Sequence, residues 1–190
     1  MSDTRASAPA GACGDERLSL IIGERTHRVI GRMLAHGIPA TRTERVMLTL
    51  TTTQEVLAEY PVEHPRSRAA SVEVSTLAAT YLHRFLLDPR WIFDDAEASF
   101  GSGRADLIFR HETTGEWLVD EIKTSRGRTD ETALRPQIER YLRGGAERWG
   151  KRYIGVRLCA LAQPRHSRLY IPTSKRSVAL VDTPLAGGVA

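Results

Sequence analysis

Gly103-Arg104-Ala105-Asp106-Leu107-Ile108-Phe109 and Trp117-Leu118-Val119-Asp120-Glu121-Ile122-Lys123-Thr124-Ser125 decide how this chain is read. Each run is apolar and strand-like, with an acidic residue in or beside it. The turn-prone residues His111-Glu112-Thr113-Thr114-Gly115 lie between them, and that pattern predicts a β-hairpin. A hairpin folded there brings Asp106 close to Glu121. Side chains alternate along a strand, so Glu121 and Lys123 share one face and Asp120 and Ile122 the other. The expected product is a pair of carboxylates and an ammonium on one side of a sheet. Carboxylates are hard oxygen ligands suited to Mg²⁺ or Mn²⁺. A lysine beside them orients a water or stabilises negative charge developing on a phosphate. A register slip of one residue would turn Asp120 to the site instead, but Lys123 would then point away.

Outward from the hairpin, periodicity supplies the remaining elements. Ile22, Val29, Ile30, Met33 and Leu34 recur at helical spacing over 21–35, and Gly37 ends the run. Residues 43–60 are ambiguous. Leu48-Thr49-Leu50-Thr51-Thr52-Thr53 has the branched residues of a strand, whereas Gln54 to Tyr60 reads as helix. A long helix is expected over 66–87, with Ala70, Val74, Leu77, Tyr81 and Phe85 on one stripe. A strand is expected over 91–100, a helix over 132–149 with Pro136 near its start, and strands over 153–161 and 168–171. The order is that of an α/β or α+β protein. Residues 1–17 and 173–190 read as tails flanking one domain over 18–172, because both stretches are small and polar or lack periodicity.

Asp106 followed by Glu121-x-Lys123 resembles the core of the PD-(D/E)XK nuclease superfamily. Gly103-x-x-Asp106 is similar to its RecB-like exonuclease branch. Gln137-Ile138-Glu139-Arg140-Tyr141 fits that branch's Gln-x-x-x-Tyr helix, and Gly23-x-x-x-His27 resembles its first, histidine-bearing motif. The resemblance spans roughly the middle two thirds of the chain. It implies a restriction-endonuclease-like αβββαβ core, with a central mixed sheet flanked by helices and extra helices at the front. It implies a Mg²⁺- or Mn²⁺-dependent deoxyribonuclease, with His27, Asp106, Glu121 and the Ile122 backbone carbonyl as metal ligands. Asp106, Glu121, Lys123, Gln137 and Tyr141 become the catalytic set. DNA is the implied partner, with a helicase or other recombination ATPase as a second. The chain has no Gly-x-x-x-x-Gly-Lys-Ser/Thr loop of its own. An exonuclease working on DNA ends in recombination, repair, phage replication or defence is the first expectation, and a structure-selective endonuclease the second. From another class, a non-catalytic nucleic-acid-binding module would keep the same fold and basic face.

Rival readings accompany several of these residues. His27 sits among Ile30 and Leu34, as a core histidine does. His83, Glu24 and Glu73 compete for its place at the metal. Tyr141 with Leu134, Ile138 and Leu142 is equally an amphipathic core face. Trp91, Trp117 and Trp149 could stack on bases, but two lie in element interiors.

Charge is distributed unevenly. Fourteen of the 27 Lys/Arg but nine of the 23 Asp/Glu fall between Arg104 and Arg168. A basic surplus beside the candidate site suits a polyanion, and it suits a solvated surface equally well. Arg126, Arg128, Arg135, Arg140 and Arg143 are the candidate phosphate contacts. Two cysteines, Cys13 and Cys159, are too few for the four-cysteine iron–sulfur cluster of many RecB-like nucleases. No apolar run approaches the roughly 20 residues of a membrane span. Residues 1–16 lack the apolar region of a secretory signal, so the expected location is the cytoplasm.

Overall fold

A computed structural model of the protein describes residues 11–100, 103–127, 131–172 and 177–179. Helix α1 (Gly11–His36) buries Leu18, Ile22, Val29, Ile30 and Met33, the spacing of one helical face. It starts inside the stretch expected as an N-terminal tail, so residues 11–17 are helical. Helix α2 (Arg42–Glu59) resolves the ambiguous segment. Thr41 caps it, taking the Glu44 N–H at 3.2 Å while the Glu44 carboxylate takes the Thr41 N–H at 3.3 Å. This capping box fixes the helical start, and the threonine run then has to follow. Thr49, Thr52 and Thr53 are buried in it, and the Thr49 hydroxyl donates to the Arg45 carbonyl one turn back. Helix α3 (Ser67–Arg84) buries Ala70, Val74, Leu77 and Tyr81, the expected stripe.

The strands form one six-stranded sheet in sequence order: β1 (Trp91–Phe100), β2 (Gly103–His111), β3 (Trp117–Lys123), β4 (Tyr153–Ala160), β5 (Arg168–Tyr170) and β6 (Ser177–Ala179). Strand β6 lies within the stretch expected as a C-terminal tail. Pairing is antiparallel except between β3 and β4. Parallel neighbours need a crossover, and helix α4 (Glu131–Trp149) supplies it. The class is therefore mixed α/β, with four α-helices among the described residues.

Two apolar layers hold the sheet. Leu107, Phe109, Ile122 and Cys159 pack under α1, α2 and α3. Ile108, Val119 and Val156 pack under Ile138 and Tyr141 of α4. The central strands β3 and β4 are consequently buried on both faces, which is why both read as nearly continuous apolar runs. Close approach of α4 requires Gly145: a Cβ there would lie 2.2 Å from the Tyr153 ring. No helix among the described residues is long and apolar enough to cross a membrane.

Candidate metal centre and its cleft

Register places the acidic residues in a row across three strands. Leu107 faces Asp120 and Ile108 faces Val119, so Asp106 falls opposite Glu121. On the other side of β2, Ala96 faces Leu107 and Ala98 faces Ala105, so Glu97 falls opposite Asp106. Glu97 was not visible as a candidate in the sequence. It follows an irregularity in β1 between Phe93 and Asp95, and its φ is +55°. A non-glycine residue in this left-handed region is strained, and such strain gathers at functional sites.

Helix α1 brings the fourth group. Gly23 lets the helix come in against the end of β3: a Cβ there would meet the Thr124 hydroxyl at 3.0 Å. One turn on, His27 Nδ1 lies 3.3 Å from Asp106 Oδ1 and 3.6 Å from Glu97 Oε1. Burial pushes the imidazole pKa down, but contact with Asp106 and Glu97 outweighs it and carries the value up to about 9. Asp106 is the closer and stronger partner, since 3.6 Å is an ion-pair contact rather than a hydrogen bond. The imidazolium thus supplies the positive charge between these carboxylates.

The other carboxylate oxygen of Asp106, Oδ2, accepts the Ile122 N–H at 2.6 Å, which pins Asp106 to β3. Glu121 turns to the α4 side. Its Oε1 accepts from Lys123 Nζ at 2.5 Å and from Gln137 Nε2 at 2.9 Å. Gln137 also donates to the Tyr141 hydroxyl at 3.0 Å, and Tyr141 donates to the Arg104 carbonyl at 2.6 Å. Gln137 and Tyr141, one turn apart on α4, therefore tie that helix to β2 and to the lysine. Glu121 Oε2 is buried and takes no hydrogen bond from any described residue. Burial, with the Asp106 charge adding to it, raises the Glu121 pKa against the opposing pull of Lys123.

Asp120 is on the opposite face and has a different task. It is fully buried and gripped by Arg157 through Nε at 2.7 Å and a terminal nitrogen at 2.6 Å, with the Tyr81 hydroxyl adding a bond at 2.7 Å. The register is thus the one that keeps Glu121 and Lys123 together.

His27, Glu97 and Asp106 offer ligand atoms within 4.8 Å of one another, a set that could hold a metal ion. Neighbouring ligands in an octahedral shell with bonds of ~2.1 Å sit about 3 Å apart. The 3.3 Å and 3.6 Å separations here need to close by only a few tenths of an ångström. One imidazole with two carboxylates is a mixed nitrogen and oxygen set, which suits Mn²⁺ and accepts Mg²⁺. The histidine must first lose its proton. Glu121, expected as a ligand, is not part of this group, whereas Glu97 is.

The trio opens onto a cleft of about 900 Å³ whose lining includes Lys123, Arg104, Arg126 and Arg66. Arg126 is exposed and paired with Glu73 at 3.2 Å. Glu24 lines the cleft too, but it pairs with Arg25 and Arg28, so neither helix glutamate joins the trio. His83 lies elsewhere, in the groove between α2 and α3. Arg135, Arg140 and Arg143 are exposed on α4 and do not line the cleft, and Arg128 lies outside the described residues. The tryptophans pack within the protein: Trp117 stacks on Trp149 at 4.7 Å and Trp91 meets His111 edge-on.

No model of a known protein family matches the chain, and no curated protein matches it.

Proposed function

We propose that the protein is a metal-dependent DNA nuclease of the PD-(D/E)XK type. The observation that carries this reading is the convergence of His27, Glu97 and Asp106 at the floor of a cleft, beside Lys123. The element order supports it as well, since a helix, strands β1 to β3, helix α4 and β4 follow the αβββαβ succession. A bound Mg²⁺ or Mn²⁺ supplies a water of lowered pKa and neutralises charge on a phosphate.

The chain's own residues do the rest. His27, Glu97 and Asp106 would hold the ion, and the Ile122 N–H fixes the Asp106 carboxylate against β3. Lys123 presents an ammonium to the attacking water and to the phosphate oxygens. It is ion-paired with Glu121 at 2.5 Å, so orientation rather than proton abstraction is its role. Gln137, 3.4 Å from Lys123 Nζ and bonded to Tyr141, limits where the amine can move.

The test is cleavage of end-labelled linear single- and double-stranded DNA and of a closed circle in Mn²⁺, Mg²⁺ or EDTA, with Lys123→Ala alongside. Metal-dependent loss of the linear substrates alone, absent in the variant, is the result expected of an exonuclease acting on ends. Cutting of the circle makes it an endonuclease. Salt-sensitive binding without products, in every metal, replaces the enzyme by a binding module. Activity that appears only with an added ATPase assigns the chain to a larger complex.

A further inference from the structure

Among the described residues, every arginine lining the cleft is latched to a carboxylate that also lines it: Arg66 to Asp15, Arg126 to Glu73 and Arg104 to Glu97. Among the described lining residues, six carboxylates stand against four Lys and Arg and the His27 imidazolium. A cleft so lined offers a polyanion little net attraction until a cation enters it, despite the basic surplus of this half of the chain.

Glu97 stands at the junction. Its Oε1 is turned to His27 and Asp106, and its Oε2 takes the Arg104 guanidinium at 2.6 Å. The Arg104 side chain is 68% exposed, so its ion pair is screened by water and readily exchanged. A phosphate offers a guanidinium the same bidentate contact as a carboxylate.

We propose that Arg104 is a phosphate-binding residue controlled by Glu97. The Glu97 charge would be shared between Arg104, through Oε2, and a divalent cation held with His27 and Asp106, through Oε1. A cation drawing on the charge of Glu97 weakens its hold on Arg104, which then turns to the nucleic-acid backbone. By linkage the effect is reciprocal, so bound DNA tightens the cation by the same factor. This inference rests on the metal-centre reading above and adds that the cation is needed for binding DNA, not for cutting alone.

The experiment uses the full chain carrying Lys123→Ala, so that cleavage does not consume the probe. A labelled short oligothymidylate is titrated at constant ionic strength in Mn²⁺ or in EDTA and followed by fluorescence anisotropy. Calorimetry with Mn²⁺ alone reads cation binding separately. The expected result is DNA binding at least about fivefold tighter in Mn²⁺. Adding Glu97→Gln should raise affinity in EDTA and erase the difference. Adding Arg104→Ala should leave Mn²⁺ binding in place and also erase the difference. Equal affinity in Mn²⁺ and EDTA, in protein that calorimetry shows to bind Mn²⁺, overturns the coupling and leaves the metal centre standing. So does a full Mn²⁺ effect in Arg104→Ala. Absence of Mn²⁺ binding in the parent protein overturns the metal centre and the coupling together. Unchanged urea midpoints for both variants exclude misfolding as the cause.

Discussion

Asp120 and Glu121 are chain neighbours with identical charge, and their surroundings give them opposite consequences. Asp120 neutralises Arg157, which is itself 8% exposed. Removing one partner of such a pair strands the other charge in a dry interior, at a cost of about 3–5 kcal/mol. Asp120→Ala is therefore expected to lower the urea midpoint severely, and Asp120→Asn, which keeps a carbonyl acceptor, to do so less. Burial and the Asp106 charge push the Glu121 pKa up against the pull of Lys123, and its Oε2 takes no hydrogen bond from a described residue. Glu121→Gln relieves that opposition while leaving an acceptor for Lys123. The expected outcome is a metal-free protein at least as stable as the parent, in which cleavage is lost. Chemical denaturation and the cleavage assay, run on the same preparations, check both halves; a destabilised Glu121→Gln protein would refute the view that this carboxylate is strained for function. These neighbours could be told apart in the sequence only because strand alternation assigns them to different faces. Glu97 was hidden, because a left-handed residue after a strand irregularity follows no period. The latches were hidden as well: Arg66 finds Asp15 and Arg126 finds Glu73 from more than 50 positions away, and nothing in local sequence announces such pairs.

At the scale of elements, legibility followed the strength of local pattern. The hairpin, α3, α4 and β4 are marked by clear periodicity or by turn residues, and all appear within a few residues of their expected bounds. Helix α2 shows why a residue scale misleads: its threonines favour strands, but a capping box at Thr41 and a buried face including Val56 favour helix. Loss of that cap should cost about 1 kcal/mol, so Thr41→Ala is expected to lower the urea midpoint modestly without changing far-ultraviolet dichroism of the native state. At the other face of the sheet, Gly145→Ala places a methyl into the Tyr153 ring. Alanine favours helix intrinsically, yet the overlap forces α4 and β4 apart at a cost of about 1–3 kcal/mol. A net loss of stability is the expected sign. A gain would show that α4 can move freely, and with it Gln137 and Tyr141.

For the molecule as a whole, the site joins the two halves that the sheet divides. The helices α1 to α3 contribute His27, the sheet contributes Glu97 and Asp106, and α4 restrains Lys123 from the opposite side. A cation bound by His27, Glu97 and Asp106 therefore ties α1 to the sheet, and its binding free energy adds to folding free energy. At a Mn²⁺ concentration one hundred times the dissociation constant the gain is about 2.7 kcal/mol. For a chain of this size each kcal/mol raises Tm by about 2–4 °C, so the shift on adding Mn²⁺ should be about 5–10 °C. EDTA should reverse it. Asp106→Asn keeps an acceptor for the Ile122 N–H but gives up the charge paired with His27, so it should fold with a somewhat lowered metal-free Tm and gain much less from Mn²⁺. His27→Ala should likewise lose the Mn²⁺ increment if the histidine is a ligand, on top of a lowered metal-free Tm from the loss of the imidazolium between Asp106 and Glu97. Were it merely a core side chain, His27→Ala would lower the metal-free Tm and leave the Mn²⁺ increment intact. Differential scanning fluorimetry of the parent and both variants, with and without Mn²⁺, separates the alternatives without any assumption about the substrate.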